Sequence, residues 1–103
     1  MLESEIQKQI IEFLQINGFL VFRMNAGTVR KGNRHIRLAP AGTPDLLCIR
    51  HGYQVWLEIK TSDGKTSAEQ DDMHAVLNMH LQKVYTVRSV EEVEKIIPRI
   101  RRR

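Results

Sequence analysis

Hydrophobic residues recur every three or four positions at Leu2, Ile6, Ile10, Phe13 and Leu14, which predicts a helix over residues 2–17 stopped by Asn17-Gly18. The pattern then changes: Phe19-Leu20-Val21-Phe22-Arg23-Met24-Asn25 is rich in strand formers. Gly27 and Gly32 bracket a polar, basic stretch from Thr28 to Arg37 that reads as a loop or loose hairpin, and Ala41-Gly42-Thr43-Pro44 reads as a turn. Asp45 to Arg50 and Tyr53 to Lys60 predict two strands around His51-Gly52, followed by a polar loop from Thr61 to Lys65. A second helix is expected from Ser67 or Ala68 to about Leu81; Thr66 with Glu69 and Ser67 with Gln70 both have capping-box spacing. Val84 to Val87 is a short strand, and Ser89 can cap a last helix through Ile97 that Pro98 disturbs. The order helix–strand–(strand)–strand–strand–helix–strand–helix predicts an α/β layered domain with a mixed sheet.

Strand parity turns this pattern into candidate chemistry. Side chains alternate faces, so Trp56, Glu58 and Lys60 share one face while Val55, Leu57 and Ile59 share the other. If His51-Gly52 is a two-residue turn, Arg50 pairs with Tyr53 and Asp45 falls opposite Glu58. Directly opposed carboxylates repel and destabilise a sheet. A divalent cation between them removes the repulsion, and oxygen donors suit Mg²⁺ or Mn²⁺. Lys60, two residues along, would stand beside such a cation, where an ammonium orients a water or balances phosphate charge. The plain alternative is a solvated strand face with a surface ion pair. Against it, the flanking strands are strongly apolar, so these charges interrupt a central hairpin.

Composition narrows the class. The chain has 103 residues, 42% hydrophobic and 27% charged, which is room for one globular domain and excludes a disordered chain or a multidomain enzyme. No apolar run approaches the ~20 residues of a membrane span, and the charged, amphipathic N-terminus is no secretory signal. The single Cys48, in an apolar run, cannot form an internal disulfide and reads as a small packed residue; these features point to the cytosol. Sixteen Lys and Arg against twelve Asp and Glu give a net charge of +4, which points to a polyanionic partner, usually nucleic acid. There is no Gly-x-Ser-x-Gly, no P-loop and no cysteine pair for zinc. His74 and His80, six apart, do not share a helix face well.

With these residues in view the sequence resembles the PD-(D/E)xK nucleases and, within them, the virus-type replication-repair nuclease (VRR-NUC) domains. The likeness runs over about residues 3–93 and rests on five elements in order: Glu3 and Gln7 on the first helix, Arg23-Met24-Asn25-Ala26-Gly27, Gly42-x-Pro44-Asp45, Glu58-x-Lys60 and Ser67-x-x-Gln70. It implies a restriction-endonuclease-like mixed sheet flanked by helices, with a single domain over residues 1–98 and a basic tail over 99–103. It also implies a Mg²⁺- or Mn²⁺-dependent DNA endonuclease with no organic cofactor and no membrane partner. Asp45, Glu58, the Ile59 carbonyl and Glu3 would be metal ligands, Lys60 would assist the attacking water, and Gln70 would stand beside them. Small members of this family tend to be homodimers that cut branched DNA such as four-way (Holliday) junctions, with a phage or prophage origin and a bacterial cytoplasm as the setting.

Several assignments keep two readings. Glu3 lies on the shoulder of the apolar stripe and Glu5 well outside it, so Glu3 is the better candidate to face the sheet; it could equally serve only the helix dipole. Gln70 either closes a capping box with Ser67 or stands beside the site. Arg23 and Asn25 share a strand face and could contact phosphate or act structurally. Arg30, Lys31, Arg34, His35 and Arg37 directly precede Pro44-Asp45 and are the favoured DNA contacts over the Arg99–Arg103 tail. Trp56 is expected to be core packing beneath the site. Met73, Val76, Leu77, Met79 and Leu81 cover more than one face of the second helix, which is expected to pack partly on a partner copy or to be buried in its own monomer.

Overall fold

The computed structural model describes residues 1–24, 28–37 and 39–97. Asn25, Pro98 and the Arg99–Arg103 tail therefore lie outside the described residues. The first helix, α1 (Glu3–Ile16), buries Ile6, Ile10 and Leu14 along one stripe. Its end is a Schellman motif: the Phe19 N–H reaches the Leu14 carbonyl and the Gly18 N–H reaches Gln15, both at 3.0 Å. The predicted strand over 19–25 is realised as the shorter β1 (Leu20–Arg23). The basic stretch is a true hairpin, β2 (Thr28–Lys31) with β3 (Arg34–Arg37), in which Arg30 pairs with His35 and Lys31 with Arg34. It forms a separate two-stranded sheet.

The main sheet adds β4 (Leu46–Arg50), β5 (Tyr53–Ile59) and β6 (Lys83–Val87). Its order is β1-β4-β5-β6, antiparallel except for the parallel β5–β6 pair. The parallel step needs a crossover, supplied by α2 (Ala68–Met79), and α3 (Val90–Ile96) closes the described chain. A mixed sheet flanked by helices is what the element order predicts, and it fits the restriction-endonuclease-like sheet that the family resemblance implies. No helix among the described residues is long and apolar enough to cross a membrane.

The sheet has one closed face. Leu46, Cys48, Val55, Leu57, Ile59 and Val87 pack there against Ile6, Ile10 and Leu14 of α1 and Val93 of α3. Each fully buried aliphatic side chain contributes about 1.5–3 kcal/mol, so this layer is the main source of stability. Opposite parity carries Phe22, Leu47, Trp56 and Glu58 to the other face, where α2 lies. No residue of α2 is buried, contrary to the reading of it as an internal helix; Val76, Met79 and Leu81 just beyond its end are exposed. Trp56 is likewise half-buried rather than core, and its indole N–H donates to Gln82 Oε1 at 3.0 Å.

Candidate active site

The hairpin that places the candidate chemistry has the expected register. His51 and Gly52 both adopt positive φ (49° and 81°), as a two-residue turn of the I′ type requires. Arg50 pairs with Tyr53 and Leu46 with Leu57. One further step along this register sets Asp45 beside Glu58. Asp45 sits where β4 begins, after the fully buried Pro44, and its Oδ2 accepts the Ile59 N–H at 2.7 Å. Its carbonyl accepts the Met24 N–H at 2.8 Å, which ties the turn to the end of β1. Glu58 is only 1% exposed.

Helix α2 is locked to Glu58 and to the turn that precedes Asp45. Ser67 caps it: the Ser67 hydroxyl accepts the Gln70 N–H at 3.2 Å, and Gln70 Oε1 accepts the Ser67 N–H at 2.9 Å. The other end of the same amide donates to Glu58 Oε2 at 3.2 Å. Gln70 therefore closes the capping box and contacts Glu58 with the same side chain. One turn on, His74 Nε2 lies 3.3 Å from Glu58 Oε1. Gly42 fixes the helix from the other side. Its φ is +84°, and a Cβ there would stand 2.3 Å from the Glu69 carbonyl oxygen, so the turn before Asp45 packs backbone to backbone on the first turn of α2.

Burial is the largest influence on Glu58 and pushes its carboxyl up to about 8. A hydrogen bond with Asp45 and that residue's charge push the same way, as does the charge of Glu3, while Lys60 opposes them. His74 is shifted below the usual imidazole range, first by burial and then by Lys60, with Asp71 opposing. Both shifts favour the neutral forms, and so favour a hydrogen bond over an ion pair at the His74–Glu58 contact. Two carboxyls that meet at the cost of one ionisation form a donor set that a divalent cation relieves. Among the described residues no three His, Cys, Asp or Glu side chains gather as a complete cage. The donor set that is present, two neighbouring carboxyl groups and a backbone carbonyl, is of the oxygen type that suits Mg²⁺ or Mn²⁺. Asp45, Glu58 and the Ile59 carbonyl would hold it.

The remaining predicted residues divide. Glu3 is exposed at the start of α1, yet its charge acts on Glu58. The carboxylate of Glu5 instead accepts the Leu2 N–H at 3.0 Å. Lys60 is half-buried and acts electrostatically on both Glu58 and His74. Arg23 is exposed on β1 opposite Leu46, one residue from Asp45. Arg30, Lys31, Arg34 and Arg37 all lie on the separate hairpin. Cys48 is fully buried with its thiol pushed up to about 12 by burial, as inert packing requires. Sequence reasoning missed His74. Its signal was the i, i+4 spacing from Gln70, which puts both on one helix face.

A mixed sheet with an Asp-bearing turn, a Glu-x-Lys strand and helices on both faces defines a nuclease-fold domain. A solved structure described as a VRR_NUC domain is similar to this chain with a TM-score of 0.68 and 25% identity, over 91% of each chain. The chain has the fold of a VRR-NUC domain. No protein-family model and no curated protein matches the sequence.

Proposed function

We propose that the protein is a Mg²⁺- or Mn²⁺-dependent DNA endonuclease that works as a homodimer on branched DNA such as four-way junctions. The observation that carries this reading is the buried Glu58 beside the half-buried Asp45, with Lys60 on the same strand, in a nuclease fold. When bound, the cation supplies activation of water and neutralisation of charge on the scissile phosphate. Asp45, Glu58 and the Ile59 carbonyl would hold it, with Glu3 adding negative charge from α1. Lys60 directs its ammonium at the attacking water or the phosphate. In-line attack expels the 3′ oxygen and leaves a 5′ phosphate. Arg23 and the hairpin residues Arg30, Lys31, Arg34 and Arg37 bind the DNA backbone without reading sequence. The homodimer is supported by exposed apolar side chains: Leu20 and Phe22 on the edge strand, and Val76, Met79 and Leu81 at the end of α2.

The test compares the parent with Asp45→Asn on linear duplex, single-stranded, flap and four-way-junction DNA, with Mg²⁺, Mn²⁺ or chelator. Metal-dependent cleavage of the junction by the parent alone is expected. A parent that binds DNA but cuts none of the four with either metal would make the domain a binding module that has kept a nuclease fold.

A further inference from the structure

We propose that His74 is a positioning residue that orients Glu58 for the divalent cation. The inference rests on the metal-dependent reading above and extends it to a residue on α2. Glu58 projects into a space with almost no solvent, so its carboxyl group cannot be oriented by water. Both of its oxygens are instead engaged by α2: Oε2 receives the Gln70 amide at 3.2 Å, and Oε1 lies 3.3 Å from His74 Nε2. Two contacts from positions one helical turn apart fix the plane of the carboxyl group, and its remaining acceptor sites are left toward Asp45 and the cation. Carboxylates that bind metals are themselves held by hydrogen bonds in this way, and loss of such a partner typically costs 10–100-fold in metal affinity or activity.

Packing does not explain the imidazole. No residue of α2 is buried, and the His74 side chain keeps 16% of its surface exposed. The apolar core lies on the other face of the sheet. A histidine here therefore makes its main contact with the carboxylate. For Nε2 to donate, the ring carries its proton on that nitrogen.

The experiment measures Mn²⁺ affinity of the full chain without DNA, by calorimetry and by the metal-induced rise in Tm. His74→Phe and His74→Leu remove the donor, while His74→Gln carries an amide N–H to about the same reach. The expected result is a Kd for Mn²⁺ raised about 10–100-fold in the Phe and Leu variants and largely restored in the Gln variant, with metal-free Tm close to the parent's. In cleavage assays excess Mn²⁺ should recover most of the rate of the Phe and Leu variants, a recovery that mere loss of packing would not give. If either donor-free variant folds poorly, the other decides. Parent-like Mn²⁺ affinity in a folded donor-free variant overturns the role of His74 and leaves the nuclease reading standing. A parent that binds no Mn²⁺ and gains no stability from it overturns both.

Discussion

The two faces of the four-stranded sheet are held by different forces. On the closed face, α1 and α3 cover Leu46, Cys48, Val55, Leu57 and Ile59, all with no exposed surface. On the other, α2 buries none of its own residues and is held by polar and backbone contacts: Gln70 and His74 to Glu58, and Gly42 against the Glu69 carbonyl. The first face is non-directional hydrophobic burial, tolerant of small shifts. The second is directional, and its contacts converge on one carboxylate that is unfavourable where it sits. A protein can keep such a group because the closed face supplies the stability that the open face spends on orientation. The division also means that damage to the two faces should be measured in different ways.

The largest expected effect is on chemistry alone. Lys60→Ala should lower cleavage by about 10²–10³-fold, the range for losing one group that stabilises a transition state. DNA affinity and Tm should stay near the parent's, since the core on the other face is untouched. Near-normal turnover, read as initial rates at saturating metal, would remove Lys60 from the mechanism.

The pH dependence of stability comes next. The Glu58 carboxyl is raised from its ordinary 4.5 to about 8 in the folded protein. The folded state therefore keeps a proton that the unfolded chain gives up. The stability this group contributes is full below about pH 4.5 and is lost as pH rises toward 8, with a limiting slope of about 1.4 kcal/mol per pH unit. Urea unfolding of the metal-free protein across this window should show the decline, and Glu58→Gln should flatten it. Because the cation binds the ionised form, the parent's metal affinity should tighten as pH rises to about 8 and then level off.

Gly42→Ala tests the backbone contact between the Asp45 turn and α2. An alanine there takes on a left-handed conformation, at about 1–2 kcal/mol, and an overpacking cost of about 1–3 kcal/mol against the Glu69 carbonyl. Denaturant midpoints should fall accordingly, and cleavage should drop further than the lost stability explains, because α2 carries Gln70 and His74. A stable, fully active variant would show that α2 need not sit where it does.

The smallest effect is a gain. Both α1 and α2 end in Schellman motifs, with Gly18 in the left-handed position of the first and Leu81 (φ 62°) in that of the second. Leu81 is also 89% exposed. Leu81→Gly should stabilise the monomer by about 1 kcal/mol through relief of that backbone strain. If the end of α2 belongs to a dimer surface, the same change should weaken the dimer in sedimentation at micromolar concentration. Unchanged dimerisation would place the surface elsewhere.

Much of this site was legible before any coordinates. The register of Asp45 against Glu58 follows from strand alternation and a two-residue turn, and both are local: once His51-Gly52 turns the chain, every pair back to Leu46 and Leu57 is set. The order of elements, the Ser67 cap and the apolar stripe of α1 are periodic or short-range patterns of the same kind. Tertiary structure alone decided what α2 does. Its apolar residues, spread over more than one face, were equally compatible with burial in the monomer and with packing on a partner copy. Only the sheet's choice of face, with Leu57 and Ile59 turned to α1 and Glu58 turned away, made α2 the exposed, polar layer. Gln70 could satisfy its capping box without touching Glu58, and the i, i+4 spacing of His74 from Gln70 marks a shared helix face but not the carboxyl group that face meets. The two first-helix carboxylates are likewise told apart only in three dimensions: Glu5 accepts the Leu2 N–H, whereas the charge of Glu3 acts on Glu58. Sequence periodicity reports contacts between near neighbours along the chain, whereas the contacts of Glu58 with residues 12 and 16 positions away exist only once a crossover helix has folded back over the sheet.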